Sequence, residues 1–199
     1  MNNRDHSEQL ARDPSFTAYE NRLIARFRQG ETEALGALFE MHADRVYAYS
    51  RHMLRNKEDA EEVTTETFVK AFQHALSYRA EGAFTAWLFR IARNLCLDRM
   101  RQPCLTGLEP AYLDDLCDDK STEQQTETKV VVNQALEMLH EDYRMILMLC
   151  DIQQWDAQEA ALIMDRSLPA TKSLLYRARR ALKELLKSSW NEDKLQDEM

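Results

Sequence analysis

From Glu31 to Arg55 the apolar residues Leu35, Leu38, Phe39, Val46, Tyr49 and Met53 recur at three- and four-residue steps or their sums, which places them on one face of a long helix. The same spacing returns wherever the chain is apolar. Ala60, Val63, Thr67 and Ala71 form the stripe of a helix beginning near Asn56, with Phe68 and Phe72 beside it. Phe84, Trp87, Leu88, Ile91, Ala92 and Leu95 share a face of AFTAWLFRIARNLCLDRMRQ. Only four Gly and four Pro interrupt 199 residues, so helices can run without the two residues that most oppose them. Strand-like alternation is nearly absent. The predicted fold class is all-α, in two small helical domains.

Punctuation residues divide the chain. A short amphipathic stretch, Tyr19 to Gln29, is closed by Gly30, a residue that readily enters the left-handed region past a helix end. Glu58, Asp59, Glu61 and Glu62 crowd the first turns of the next-but-one helix, where the dipole favours acids. Pro103 stops helical order, and from 103 to 127 seven acids (Glu109, Asp114, Asp115, Asp118, Asp119, Glu123, Glu127) face one base, Lys120. This composition marks an acidic flexible linker. Periodicity resumes at Val130 in KVVVNQALEML, DYRMILMLCDI, DAQEAALIM and SLPATKSLLYRARRALKELLK. In the last of these Leu168, Thr171, Leu175, Ala178, Leu182 and Leu185 face a core, Ser167 is placed to cap, and Pro169 suits the first turn.

A net charge of −8 opposes free-standing DNA binding, which rests on neutralising phosphates, yet the charges are segregated. The final helix carries Lys172, Arg177, Arg179, Arg180, Lys183 and Lys187 against Glu184 alone. Preceded by a short helix and a tight turn at Asp165-Arg166, it forms a helix-turn-helix candidate with Tyr176 on its basic face. A second cluster joins Tyr78 and Arg79, in a short loop, to Arg90, Arg93 and Asn94, groups able to stack on or read unpaired bases. Phe84, Trp87 and Ile91 fit a core role better. The acidic helix with Glu58, Asp59, Glu61, Glu62 and Glu66 repels DNA and suits a basic protein surface.

Other classes find no support. There is no Gly-rich phosphate loop, no G-x-S-x-G and no H-E-x-x-H, and the five histidines are scattered, so catalytic residues, cofactors and metals are all expected to be none. The four cysteines, Cys96, Cys104, Cys117 and Cys150, form no C-x-x-C pair and read as reduced thiols. No window reaches the roughly 18 apolar residues of a membrane span, and the polar start lacks a secretory core. A cytoplasmic location without membrane insertion is expected.

EALGALFEMHADRVYAYSRHML, EDAEEVTTETFVKAF, FTAWLFRIARNLCLDRMR and DIQQWDAQEAALIMDRSLPATKSLLYRARRALKELL, in that order, together resemble the extracytoplasmic-function (ECF) group of bacterial sigma factors. The resemblance covers about residues 20 to 101 and 130 to 187. It implies a disordered tail at 1–16, a region 2 domain at 17–102, the acidic linker at 103–127, a region 4 helix-turn-helix domain at 128–188 and an acidic tail at 189–199. It further implies that Asp59, Glu62, Thr65 and Glu66 dock on the clamp helices of the largest subunit of core RNA polymerase, with the flap of the second largest subunit as a further partner. Tyr78, Arg79, Phe84, Arg90, Arg93 and Asn94 would serve the minus-ten element of promoter DNA. Ser167, Lys172, Ser173, Tyr176, Arg177, Arg179 and Arg180 would serve the minus-thirty-five element. An anti-sigma factor is the expected regulator.

Several positions depart from the family pattern. Thr64-Thr65 stands where Val-Gln is usual, Asp165 replaces the turn glycine, Arg166 an apolar residue, Pro169-Ala170-Thr171 a Gly-Thr-Val, and Leu174 a common arginine. Two rivals share part of the pattern: a dimeric helix-turn-helix operator binder, and a non-initiating sigma mimic.

Overall fold

The computed structural model describes the backbone of residues 14–78, 83–101 and 123–197 and the side chains of 17–78, 83–101 and 131–187. Among the described residues the regular elements are all helical. They are α1 (Pro14–Phe27), α2 (Thr32–Leu54), α3 (Lys57–Gln73), α4 (Phe84–Arg101), α5 (Glu123–Met138), α6 (Glu141–Leu147), α7 (Ala157–Met164) and α8 (Leu168–Asp197). The segments 1–13, 79–82 and 102–122, and with them Arg79, Cys104, Cys117 and most of the expected linker, lie outside the described residues.

Each junction has a local chemical cause. Gly30 takes φ 83° after α1, the conformation glycine adopts most cheaply. α2 ends at Arg55, itself left-handed at φ 59°, and Asn56 then caps α3 by accepting the Asp59 N–H at 2.9 Å. α1 begins five residues before the stretch expected from Tyr19, at Pro14, and proline fits a first helical turn. α8 runs to Asp197, past the Lys187 limit of the apolar pattern. Periodicity marks only the part of a helix that packs, so it is silent on both extensions.

The first four helices bury Phe27, Leu38, Tyr49, Leu88 and Phe89 completely, with Phe27, Tyr78, Phe84 and Trp87 forming an aromatic cluster. In the second half six consecutive residues, Met145 to Cys150, are buried. A helix apolar all round lies inside a core, and α6 does so by continuing into a π-helical turn, Met148–Ile152. There the Gln153 N–H bonds the Met148 carbonyl at 2.9 Å.

The halves pack on each other. α4 lies against α7, with the Phe89 and Trp155 rings 5.1 Å apart and Trp155 only 7% exposed. The Arg45 guanidinium stands 4.9 Å from the Trp155 ring and 5.6 Å from that of Phe89, a cation over two aromatic faces. Arg90 pairs with Asp165 at 3.1 Å, and Arg55 with Glu137 at 3.4 Å.

Candidate nucleic-acid interface

The helix-turn-helix is assembled by capping. Asp156 accepts the Gln158 and Glu159 N–H groups at 2.7 and 2.8 Å while Glu159 accepts the Asp156 N–H at 3.1 Å, a reciprocal box that starts α7. Asp165 ends α7 at φ 55°, and the Arg166 N–H returns to the Ala161 carbonyl at 3.0 Å. A left-handed residue is required there, and aspartate tolerates that region better than most side chains. The departure at the turn glycine is therefore accommodated. Ser167 Oγ then accepts the Ala170 N–H at 3.4 Å and opens α8.

On α8 the buried line is Thr171, Leu174 and Ala178, with Leu175, Leu182 and Leu185 packed partly against the core. Leu174, outside the expected stripe, is 3% exposed, so this residue is a core side chain. Lys172, Ser173, Tyr176, Arg177 and Arg180 consequently face outward, Tyr176 at 69% exposure. Arg179 is exposed too but turns back on its own domain, gripping both carboxylate oxygens of Asp151. That forked pair raises its pKa, chiefly through the hydrogen bonds to Asp151.

α4 presents a second set. Arg90 and Asn94 are exposed, and Arg93 donates to Asn94 Oδ1 at 3.2 Å. Tyr78 and Phe84 are placed differently from a base-stacking surface, at 5% and 4% exposure inside the aromatic cluster. Burial pushes the Tyr78 phenol up. The rings pack because Phe27 and Trp87 supply edge and tilted contacts, worth more than area alone.

α3 carries the acidic surface. Glu62 and Thr65 are exposed, Asp59 and Glu66 half-buried, and an open groove runs past Glu61, Glu62, Thr65, Glu66 and Val69. Arg99 of α4 reaches across to Asp59 at 2.8 Å and Glu62 at 2.7 Å. It was not among the expected site residues. Its pairing spans 37 and 40 positions, a separation at which no local spacing gives a signal. Thr64, one of the departures, is buried with its hydroxyl on the Ala60 carbonyl at 2.7 Å.

Two family descriptions match the chain in order, Sigma-70 region 2 over residues 38–103 and Sigma-70, region 4 over residues 129–182. The ECF RNA polymerase sigma factor SigM of Bacillus subtilis is 32% identical over 162 residues, covering 78% of this chain and 97% of that protein. The chain belongs to the ECF sigma factors. SigE of Mycolicibacterium smegmatis, another ECF RNA polymerase sigma factor, is 32% identical over 155 residues, 75% of this chain, and the match spans only 60% of that relative's length.

Solved structures share the fold. CnrH in complex with the cytosolic domain of CnrY matches with a TM-score of 0.66 at 24% identity, covering 85% of this sigma factor and 97% of that chain. The sigma factor RpoE of Bartonella quintana, in complex with the anti-sigma factor NepR, matches with a TM-score of 0.58 at 24% identity, over 76% of this chain and 96% of that one. Within this sigma factor, the region 2 match ends just beyond α4 and the region 4 match runs from within α5 to the middle of α8. No helix among the described residues is long and apolar enough to cross a membrane.

Proposed function

We propose that the chain works as a non-catalytic cytoplasmic specificity factor, binding core RNA polymerase and directing it to promoters. The observation that carries this reading is the segregation of charge onto separate elements: an acidic face on α3 and a basic, outward face on α8. Acidic side chains at Asp59, Glu62 and Glu66, beside Thr65, suit the clamp helices of the largest subunit as a basic partner. The second domain then engages the flap of the second largest subunit and the minus-thirty-five element.

In this reading Lys172, Ser173, Tyr176, Arg177 and Arg180 lie along the major groove, Ser167 and Arg179 supporting from the helix start and flank. Arg90, Arg93 and Asn94 meet the minus-ten strand. Tyr78, Arg79 and Phe84 serve the flipped base, which requires the Tyr78 and Phe84 rings to leave the cluster they now fill. Unstacking one base costs about a few kcal/mol, offset by capture of that base and by polymerase contacts. Control by an anti-sigma factor is part of the proposal, supported by the complex in which RpoE was solved with the anti-sigma factor NepR.

The test is gel filtration of the full chain with core polymerase. Co-elution that is abolished on changing Asp59, Glu62 and Glu66 to their amides is the expected outcome. A chain that ignores core polymerase yet shifts duplex DNA by itself overturns the proposal.

A further inference from the structure

α1 ends against the cluster that houses two of the minus-ten candidates. Phe27, its last residue, is fully buried, with its ring 5.5 Å from that of Phe84 and 6.4 Å from that of Trp87. The next residue, Arg28, is exposed. Its backbone has little freedom. The Arg28 N–H returns to the Ile24 carbonyl at 3.0 Å, the Gln29 N–H to that of Arg26 at 2.9 Å and the Gly30 N–H to that of Phe27 at 2.9 Å, closing the helix at a left-handed glycine. A buried aromatic and a hydrogen-bonded terminal turn thus fix where the Arg28 side chain leaves the fold.

Electrostatics locate the guanidinium at the rim of the cluster. Burial is the main influence on the Tyr78 phenol; after it come Arg28, which favours the ionised form, and Glu20, which opposes it. Coulomb interaction decays with distance, so both charges stand near Tyr78. They are committed differently. Glu20 lies 3.0 Å from Nε2 of His42 in α2, and Arg26, the other cation at this helix end, is held by Glu31 at 2.7 Å and Glu33 at 3.5 Å. Arg28 is the cation that α1 sets beside Tyr78. A basic residue in a last turn also complements the carbonyl end of the helix dipole, but that role is met at any position in the turn and does not call for one beside a candidate base pocket.

We propose that Arg28 is a positioning residue for promoter opening, its guanidinium holding the backbone phosphate next to the flipped minus-ten base. The inference rests on the minus-ten reading above. A base captured at Tyr78 and Phe84 brings its own phosphate to the rim of the cluster, because base and phosphate belong to one nucleotide. A planar fork of N–H donors can take two phosphate oxygens at once. Contacts to phosphate set register and carry no sequence information, so Arg28 holds the strand whichever base is flipped.

The experiment measures binding of holoenzyme, the full chain with core polymerase, to a forked promoter fragment whose minus-ten strand is single-stranded, taken from a start site mapped after overexpression. Wild type, Arg28→Lys, Arg28→Gln and the double variant Arg93→Ala with Asn94→Ala are compared across a salt series, with helicity checked by circular dichroism. Arg28→Gln should weaken binding by about three- to fivefold at low salt, the range of an exposed ion pair. Its salt slope should fall by about 0.7, the value for one phosphate of a single strand. Arg28→Lys should keep the wild-type slope, and the loss in Arg28→Gln should be the same when the flipped base is changed. A neutral methylphosphonate, moved one position at a time along the minus-ten strand, supplies a measurement on the unaltered chain. At one position beside the flipped base it should weaken wild type and leave Arg28→Gln unaffected. An unchanged salt slope in Arg28→Gln, or a loss that persists at every methylphosphonate position, overturns the proposal. Impairment of the Arg93 and Asn94 variant without any in Arg28→Gln removes this inference alone, whereas wild-type binding by that double variant removes the minus-ten reading and this inference with it.

Discussion

Arg90 of α4 and Asp165 of the α7–α8 turn are ion-paired at 3.1 Å, joining the helix that carries the minus-ten candidates to the turn of the reading motif. Both side chains are substantially exposed, at 48% and 69%, so the pair contributes little to stability. Its importance is that it occupies Arg90. Asp165→Asn should raise affinity for single-stranded minus-ten DNA by up to about fivefold at low salt, the range of an exposed pair. Fluorescence anisotropy across a salt series checks this, and the gain should fade as salt rises.

Trp155 is the larger contributor to the junction. It is 7% exposed and lies between Phe89 and Arg45. Trp155→Ala should cost about 3 kcal/mol or more in urea denaturation, the usual range for a buried large aromatic. Trp155→Phe should cost clearly less. A loss under about 1 kcal/mol for the alanine variant would mean that the halves do not pack as described.

The two described thiols give a pH prediction. Burial pushes Cys96 up to about 12 and Cys150 up to about 11, from an ordinary 9.0. Below pH 9 folded and unfolded thiols are both protonated. Above it the unfolded thiols ionise while the folded ones hold their protons, so stability falls as pH rises through the folded values. In a Cys104→Ser, Cys117→Ser background, the native chain should react slowly with a thiol reagent at pH 8. Both remaining thiols should react at once in guanidinium.

The arrangement of Arg93 beside Asn94 separates melting from assembly. Changing both to alanine should impair open-complex formation, measured by permanganate reactivity, while co-elution with core polymerase is retained. Lys172→Ala with Arg177→Ala should instead weaken upstream DNA binding and lower the salt slope by about 1 to 2, one for each phosphate no longer neutralised.

Much of the fold is legible in the sequence, and the limit is a physical one. Helix-scale features depend on neighbours three or four positions apart, so the helical stripes, the Gly30 stop and the Ser167 cap can be read directly. The outward basic face of α8 follows from the same stripe. What escapes are relationships across the fold. Phe89 and Leu174 lie off the predicted stripes yet are buried, because α4 and α8 each pack on more than one neighbour. Arg99 finds Asp59 and Glu62 only once α3 and α4 are side by side. Tyr78 and Phe84 can be placed in a loop and a helix start, but not inside an aromatic cluster with Phe27. The run Met145 to Cys150 does hold a signal, since six apolar residues in a row leave no polar face, although periodicity cannot distinguish a π turn from a regular one.

Run-off transcription with purified core polymerase and the full chain, on a template whose start site has been mapped after overexpression, tests the central claim most directly. A discrete transcript that depends on the chain, and disappears with the amide variants of Asp59, Glu62 and Glu66, is the predicted result. A folded chain that binds core polymerase and yields no transcript from any mapped start site would contradict it.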